Sequence, residues 1–507
     1  MSSVKNLILS KLIHKLVIRL QKQYNQKYQK NLPIILITGT VGKSSTTLLI
    51  NQLLESNNYL VYSGTTTNKN YNSLTGLGMT LINYKFNLEG GSLITKIFKQ
   101  INFLIRLIWN CIFGVYELKT NSALVYELGF DHQGESEIFK TVFKNIQIDV
   151  LAVTNLTYEH NQGFTSTFDK NKYQKIKNNL PSKLQIDFEN DQIDPLLKNT
   201  ALEQLTLANQ TKHLITPDNI GKINNLTIHK YQALEKIIDT KASYGFKMNL
   251  TVASSNNQSS QNSELLTFNS QYLFPITFAK NLAYLNIIND YFNFSNNTNN
   301  QQKFIQKLEL PNGRFGKFSG IKGSTLIDSS YNSDPAGLNG MLESVQATIN
   351  HYKVTNNLEQ DDLFLAPNHY LILGEMRELG EGAMASHKEI LTRIKQLINK
   401  ESVIAGIYLL GAEWLKCDED NIPKTENSVN LIRFQGQIYS VYKTAGQITK
   451  HLQIEDNLIP NSFVWIKGSQ NTIFLEIVTN SLLKNPTDSS RLCRRGAEWE
   501  TIRTNYI

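Results

Sequence analysis

The stretch ITGTVGKSSTT, residues 37–47, constrains this chain more than any other part of its sequence. An apolar run, LPIIL, precedes it, and an amphipathic run, LLINQLLE, follows it. A strand, a glycine turn and a helix, in that order, bring backbone N–H groups and a helix N-terminus together around a phosphate. The stretch therefore predicts a buried strand, a phosphate-binding turn and a helix.

The residues of the turn suit a nucleotide. Gly39 and Gly42 permit a tight backbone. Lys43 can reach the terminal phosphates, and Ser44 can offer its hydroxyl to Mg²⁺. The general pattern GxxxxGK[ST] has glycine at its first position, where this chain has Ile37. ATP or GTP binding is the first hypothesis, and a helix start capped by hydroxyl side chains is the alternative.

Length and composition limit the classes of protein to consider. The chain has 507 residues, enough for two or three domains with a large buried interior. Its net charge of +8 favours phosphate-bearing partners and anionic membrane surfaces. The sequence has no dense basic stripe of the kind that binding to nucleic acid would require. The three cysteines stand far apart, with no pair spaced for zinc, so we expect a cytoplasmic, reducing location.

Two amphipathic stretches, residues 4–22 and 93–113, could form surface helices. Neither has the ~20 uninterrupted apolar residues that a membrane-spanning helix needs. The apolar face predicted for the first comprises Val4, Ile8, Leu12, Leu16 and Leu20. Its other face carries lysine and arginine, a pattern typical of helices that lie on membranes. For both stretches we expect either packing on the protein's own surface or peripheral contact with the inner face of the plasma membrane.

Several segments, taken in order, resemble the Mur ligase family, whose members join amino acids or peptides to carboxylates. The first group is GTVGKSST at 39–46, TTTNKNYNSLTGLGMTL at 65–81, ALVYELGFDHQGESEI at 123–138 and LAVTNLTYEHNQGF at 151–164. The second group is LPNGRFGKFSG at 310–320, DSSYNSDP at 328–335, LGEMRELGEG at 373–382 and FVWIKGSQN at 463–471. The last three segments are similar to the MurF type within this family.

The resemblance implies an α/β fold with a P-loop-type central domain, a mostly parallel sheet and a C-terminal Rossmann-like α/β domain. We expect a basic amphipathic N-terminal helix at 1–31, a central ATP-binding domain at 32–308 with an insert at 83–122, a C-terminal domain at 309–484 and a basic tail at 485–507. A polar, strand-patterned region reaching to about residue 275 is expected to continue the central sheet. The tail has no assigned mechanism and could pack on the C-terminal domain or reach an anionic ligand.

The resemblance also implies roles for individual residues. Lys43, Glu127 and His160 would be catalytic, and Mg²⁺ would be held by Ser44, Glu127 and His160. The residues implied to bind ATP are Gly39, Thr40, Gly42, Lys43, Ser44, Ser45, Asn281, Arg314, Asp328, Tyr331 and Asn332.

Other roles stay open at the level of sequence. Relatives often carry a carbamoylated lysine shortly after the histidine, and here Lys172 or Lys175 would serve, although neither precedes glutamate at the usual offset. Lys467 could contact the amine substrate. We expect Glu378 and His387 to be structural.

The implied activity is ATP- and Mg²⁺-dependent amide formation in peptidoglycan precursor synthesis. An acyl-phosphate of a muramoyl-peptide-like carboxylate would react with an amino acid or a dipeptide such as D-alanyl-D-alanine. We expect a monomer. MurF-type ligases normally place a UDP-binding domain of about a hundred residues before the ATP loop, where this chain has only residues 1–31.

The alternatives are a Mur-type ligase with another substrate and a membrane-surface scaffold that binds ATP without catalysis. The MurT type usually has a four-cysteine zinc cluster, which three scattered cysteines cannot build. Folylpolyglutamate synthases favour GTxGKGS and lack the SYN segment. Cyanophycin synthetases add an ATP-grasp half that is absent from this sequence.

Overall fold

The structure is a computed structural model of the whole chain. It describes residues 2–67, 71–84, 93–130, 132–156, 164, 167–180, 188–190, 192–215, 308–356, 366–377, 379–420, 429–454, 457–469 and 473–503, and parts of 222–294. The chain divides into two compact units, built mainly from residues 1–229 and 305–507.

The first unit is built on a five-stranded parallel sheet. Its strands are β1 Ile34–Thr38, β2 Leu60–Tyr62, β3 Ser122–Glu127, β4 Ile148–Val153 and β5 Thr211–Ile215, in the order β2-β3-β1-β4-β5. Every residue of β1, β3 and β4 is buried. Continuous apolar runs are expected of parallel strands that are covered on both faces.

Seven helices of this unit have described bounds. They are α1 Ser2–Tyr28, α2 Lys43–Ser56, α3 Leu74–Leu81, α4 Leu93–Phe113, α5 Glu135–Val142, α6 Lys170–Ile176 and α7 Pro195–Leu205. Helix α7 begins where Asp194 accepts a hydrogen bond from the Leu196 amide at 2.8 Å, with Pro195 in the first turn. Among the helices that the structure describes, none combines the length and apolar character needed to cross a membrane.

Helix α1 packs into the core of the first unit. Its buried apolar side chains include Leu9, Ile13, Leu16, Val17 and Leu20. The face predicted from the sequence was partly wrong, because Ile8 is exposed. Of the two expectations for residues 4–22, packing on the protein itself accounts for the apolar face.

The strand-patterned region after β5 forms a sheet of its own. Strands β6 Lys222–Ile223, β7 Leu226–Ile238, β8 Tyr244–Ala253 and β9 Ser259–Phe268 make a four-stranded sheet in that order, with β6 and β7 antiparallel. The prediction that this region continues the central sheet was therefore wrong. Strands β7 to β9 mix polar and apolar residues along their length, whereas the buried strand β1, IILIT, is apolar in four of its five residues, as is usual for a parallel strand covered on both faces.

The second unit contains a seven-stranded sheet. Its strands are β10 Gly316–Ser319, β11 Thr325–Ser329, β12 His369–Gly374, β13 Ile404–Leu410, β14 Val429–Phe434, β15 Gln437–Tyr442 and β16 Phe463–Lys467. The order is β10-β11-β16-β12-β13-β15-β14, with antiparallel pairs at both edges and parallel pairs between them. The predicted α/β fold with mostly parallel sheets is confirmed.

The helices of the second unit follow its strands. They are α8 Pro335–Thr355, α9 Ala383–Lys400, α10 Ala445–Thr449, α11 Glu476–Leu482 and α12 Ala497–Arg503. Apolar side chains of α8 and α9, such as Leu338 and Ile390, pack in one core with Trp465 of β16. Two tryptophans, Trp414 and Trp465, are completely buried in this unit.

Candidate functional site

The turn between β1 and α2 has a backbone that requires glycine. Gly39 has a φ of 121°, and Gly42, the N-cap of α2, has a φ of 88°. A Cβ atom at Gly39 would lie 2.5 Å from Oγ1 of Thr154 and 2.8 Å from the backbone nitrogen of Asn155. The turn thus passes close to the end of β4 and leads into a helix whose first amides have no helical acceptor.

Residues from two distant segments fix this turn. After β4, Thr154 donates from Oγ1 to the Val41 carbonyl at 2.5 Å, and the Thr40 amide donates to the Asn155 carbonyl at 3.0 Å. From α7, Oε1 of Gln204 accepts a hydrogen bond from the Gly39 amide at 2.9 Å. The backbone of the turn is therefore held in place by the protein itself.

Lys43 lies over the turn that it follows. Its Nζ donates to the carbonyl oxygens of Gly39 at 2.8 Å and Thr40 at 2.9 Å. An ammonium in this position adds positive charge to a turn that already ends in a helix N-terminus, where the helix dipole favours anions. The arrangement suits a negatively charged ligand.

Ser44 and Glu127 meet beside the turn. Ser44 is the second residue of α2, and Glu127 is the last residue of the neighbouring strand β3. The Ser44 hydroxyl donates to Oε1 of Glu127 at 3.2 Å. Glu127 is 1% exposed, and its Oε2 has no hydrogen-bond partner among the described residues. A buried carboxylate oxygen without a donor is costly unless a cation or another ligand satisfies it.

These two residues fit a magnesium ion. A hydroxyl and a carboxylate are oxygen ligands, and Mg²⁺ is usually held by one or two protein groups together with substrate phosphates and water. Within the described part of the chain, no group of three His, Cys, Asp or Glu side chains could hold a metal by itself. A site at Ser44 and Glu127 would therefore depend on the nucleotide for its remaining ligands.

The other residues expected at this end of the nucleotide lie in or near the turn. Thr40 and Ser45 are both buried. Asn281 lies close to Gly42, because its Oδ1 would be 3.7 Å from a Cβ atom there. The same Oδ1 accepts a hydrogen bond from Oγ1 of Thr46 at 3.3 Å.

Lys172 is part of a buried ion pair. Its Nζ lies 2.5 Å from Oε1 of Glu203 and 2.9 Å from Oγ of Ser136, and the Lys172 and Glu203 side chains are 11% and 1% exposed. Glu203 also accepts from the amides of Gly134 and Ser136. Carbamoylation needs a free amine, whereas this amine is in contact with the Glu203 carboxylate and the Ser136 hydroxyl. Lys175, the other candidate, is exposed.

Two of the residues considered from the sequence, His160 and Glu378, lie outside the described residues. The roles expected of them stay predictions. His387, in contrast, is completely buried. Its Nε2 lies 3.0 Å from the Met376 amide and its Nδ1 lies 2.6 Å from the Ala383 carbonyl, and burial lowers its pKa. A neutral histidine that joins a loop to a helix start in this way has a structural role.

In the second unit, the expected ATP-binding residues surround the end of β11. Asp328 is buried, and desolvation raises its pKa to about 6 despite a 2.7 Å hydrogen bond from Thr479. Tyr331 is partly exposed, and the Arg314 guanidinium lies 5.0 Å from the centre of its ring. Lys467, at the end of β16, donates to the backbone carbonyl of Asn332. This unit thus brings together five residues that the sequence had singled out.

The basic tail packs on the second unit. Arg494 lies 3.0 Å from Oε2 of Glu476 and donates to the carbonyls of Tyr331 at 2.5 Å and Ser469 at 3.2 Å. Arg503 lies 3.6 Å from the other Glu476 oxygen. Of the two expectations for the tail, packing accounts for both arginines: Arg494 contacts the loops after β11 and β16, and Arg503 contacts Glu476 of α11.

Comparison with known proteins supports this description of the fold. No family model and no curated protein sequence matches the chain. Among solved structures, MurF from Acinetobacter baumannii is similar with a TM-score of 0.54 and 15% identity, over 95% of this chain and 81% of that chain. MurF ligase from Thermotoga maritima in complex with ADP gives 0.52 and 13%, over 92% of this chain and 83% of that chain.

These likenesses define the class of fold. The chain has the fold of the Mur ligases, as the resemblance of its motifs predicted. Within that class, the solved structures with this similarity include MurF enzymes from two bacteria.

Sequence reasoning missed three residues that shape the site. Gln204 fixes the turn, Glu203 pairs with Lys172, and Arg494 fixes the tail. The signal available for the first two was their position in PLLKNTALEQL, a helix with polar residues throughout. Polar side chains that are buried in a helix are usually hydrogen-bonded to another element, so such a helix indicates distant partners.

Proposed function

We propose that this protein is an ATP-dependent ligase that forms an amide bond between a carboxylate and an amine. The observation that carries the proposal is the Ser44–Glu127 pair, which has an unsatisfied carboxylate oxygen beside a glycine turn and Lys43. These are the components that a triphosphate and its Mg²⁺ require. The Mur ligase fold supports the choice of ligase over other ATP-binding enzymes.

In this proposal the turn holds the β- and γ-phosphates of ATP. The Lys43 ammonium exchanges its two carbonyl acceptors, Gly39 and Thr40, for phosphate oxygens. Because the turn is fixed by Thr154 and Gln204, its amides need little reorganisation when the phosphate charge changes. Mg²⁺, when held by Ser44 and Glu127, would neutralise charge on the phosphates.

The reaction is transfer of the γ-phosphoryl group to the carboxylate. A carboxylate oxygen attacks the γ-phosphorus and ADP leaves, giving an acyl-phosphate. The amine then attacks the acyl carbon and inorganic phosphate leaves, while the amine loses a proton. Lys43 would stabilise the charge that shifts toward the leaving ADP.

For the substrates, we propose a muramoyl-peptide-like carboxylate and an amine such as D-alanyl-D-alanine, as in MurF-type enzymes. The motifs DSSYNSDP, LGEMRELGEG and FVWIKGSQN support this choice. Lys467 is the residue proposed to contact the amine.

The experiment that tests this function measures phosphate release by the purified chain. ATP and Mg²⁺ are supplied with UDP-N-acetylmuramoyl tripeptide, with D-alanyl-D-alanine, with both or with neither. We expect release that requires both substrates, together with a product whose mass equals their sum less one water. Release with another amine in a panel of amino acids and dipeptides would keep the ligase and change its substrate.

A second candidate is an ATP-binding scaffold without ligase activity. The buried Lys172–Glu203 ion pair favours it, because it occupies an amine that would otherwise be available for carbamoylation. ATP binding without substrate-dependent phosphate release, across the panel of acids and amines, would support the scaffold and contradict the ligase.

A further inference from the structure

Helix α4 is apolar on two opposite sides. Phe103 and Leu107 face inward, where each side chain comes within 3.3 Å of the Cβ position of Gly78 on α3. The opposite side, here called the outer face, consists of Phe98, Ile101, Ile105, Ile108, Trp109 and Ile112. At 100° per residue, Ile105 lies about half a turn from both Phe103 and Leu107. The inner side thus packs α4 against the protein, whereas the outer face is exposed.

The outer face is large and strongly exposed. Phe98 is 69% exposed, Ile105 60% and Trp109 62%. The six side chains follow one another along about four turns, which is roughly 21 Å of helix. Single exposed apolar residues are normal, but a continuous apolar strip of this length marks an interaction surface.

Contacts with α1 hold α4 in place. The Cys111 thiol lies 3.4 Å from the Leu12 carbonyl, and the Arg19 guanidinium donates to the Gly114 carbonyl at 2.6 Å just beyond the end of α4. The Tyr116 amide donates to Oε1 of Gln23 at 3.0 Å. The outer face is therefore presented by a helix that is anchored along its other side.

The charge of α1 and α4 indicates what binds the outer face. Neither α1 nor α4 contains an aspartate or a glutamate. Their lysines and arginines include Lys11, Lys15 and Lys22 of α1 and Arg106 of α4, all of which are exposed. Two helices that carry exposed cations and no acidic residue complement an anionic surface.

The shape of the face favours a bilayer over a second copy of this chain. One helix is about 10 Å wide, so a strip about 21 Å long covers roughly 210 Å², well below the roughly 800 Å² per partner that a stable protein interface buries. Tryptophan and phenylalanine beside aliphatic residues are typical of helices that lie in the membrane interface. The row of isoleucines adds the apolar area on which such binding depends.

We propose that the outer face of α4 docks on an anionic lipid bilayer, with α1 as the platform that carries α4. The apolar side chains enter the interface, while Lys15 and Arg106 stay near the headgroups. The proposal for residues 4–22 changes accordingly, because most of their apolar side chains pack in the core and α1 contributes exposed cations. The inference is independent of the proposed ligase reaction.

Vesicle flotation of the full chain tests this proposal. Vesicles of phosphatidylglycerol and phosphatidylcholine are compared with pure phosphatidylcholine at about 0.15 M salt. We expect the chain to float with the anionic vesicles and to bind them at least tenfold more strongly than the neutral ones. A chain that stays at the bottom with both, or that floats equally with both, would overturn the proposal.

Matched variants distinguish binding through the outer face from nonspecific binding of exposed apolar side chains to vesicles. Ile105→Glu with Trp109→Glu is expected to lower binding at least tenfold, with an unchanged unfolding midpoint. Met384→Glu with Ile438→Glu, at apolar positions of the other unit that are each 46% exposed, should bind as the unchanged protein does. Equal loss in both double variants would overturn the proposal. So would a dimer in sedimentation that the first double variant converts to monomer.

Tryptophan fluorescence gives a second readout. Trp109 is exposed, whereas Trp414 and Trp465 are completely buried. A blue shift on addition of anionic vesicles is expected in the unchanged chain and should disappear in Trp109→Phe, which keeps an apolar ring. A shift that persists in this variant would place the lipid contact elsewhere and contradict the proposal.

Discussion

The Ser44 hydroxyl lies 3.2 Å from a Glu127 carboxylate oxygen, although the two residues are separated by 83 positions in the chain. The second oxygen of Glu127 is buried without a hydrogen-bond partner among the described residues. A substitution in this pair that keeps the shape of the side chain therefore tests the proposed function with little change of structure.

Glu127→Gln keeps the shape of the side chain and removes its charge. If Glu127 holds Mg²⁺, we expect phosphate release in the ligase assay to fall about 10²–10³-fold, as on loss of one group that stabilises transition-state charge. Folding stability should not decrease, because a buried charge is removed. The measurement is the rate against Mg²⁺ concentration. Glu135→Gln, at the start of α5 where the side chain is 37% exposed, is the control, and a normal rate in Glu127→Gln would contradict the proposed role of Glu127 in holding Mg²⁺.

Gly39→Ala should destabilise the protein more than Gly134→Ala. Both glycines have positive φ, 121° and 93°, which costs alanine about 1 kcal/mol. At Gly39 the new methyl group would also collide with Thr154 and Asn155, whereas no described atom lies within 4 Å at Gly134. We expect about 1–3 kcal/mol of additional loss at Gly39. Urea unfolding measures the difference, and equal losses would mean that the turn can move away from β4.

Lys172→Met should cost about 3–5 kcal/mol, because it leaves Glu203 buried without its cation. Lys177→Met makes the same change in an exposed pair, where Lys177 and Glu189 lie 3.4 Å apart and are 40% and 68% exposed. There we expect a loss below about 1 kcal/mol. The free energies of unfolding of the two variants give the comparison. Similar small losses would show that the Lys172 pair is dispensable for folding.

Asp328 should make the second unit less stable as pH rises. An exposed aspartate has a pKa of 3.8, whereas burial raises the pKa of Asp328 to about 6, so the folded state holds the proton more tightly. The stabilisation is complete below pH ~4 and is lost as pH rises through about 6, to a total of about 3 kcal/mol. Glu476 faces the same cluster, and burial raises its pKa as well.

Asp328→Asn removes this titration while the amide can still accept the Thr479 hydrogen bond. We expect its free energy of unfolding to depend less on pH between 4 and 6 than that of the unchanged chain. Parallel pH profiles of the two proteins would contradict the assignment to Asp328.

Features that depend on neighbouring residues, such as the strand, the glycine turn and the helix start, could be predicted from the sequence. The eleven residues 37–47 combine the end of an apolar strand, a glycine turn and the start of a helix, and the structure has these three features in that order. The resemblance to the Mur ligases implied Glu127, and its position at the end of a strand agreed with that role, because parallel strands bring their ends to one edge of the sheet. The fold class followed from the resemblance of the motifs to the Mur ligases.

Contacts between distant segments could not be predicted in the same way. Gln204 meets Gly39 across 165 positions, and nothing near either residue indicates the other. The buried side of α1 was misplaced, since periodicity gives the width of an apolar face but not its orientation in the core. The predicted face therefore included Ile8, which is exposed, and left out Leu9, which is buried.

The most direct test of the central claim is calorimetric titration of the chain with ATP, with and without Mg²⁺. The account predicts one ATP per chain, tighter binding with Mg²⁺, and at least tenfold weaker binding in Lys43→Ala with an unchanged unfolding midpoint. No heat of ATP binding, or equal affinity in the Lys43→Ala protein, would contradict it.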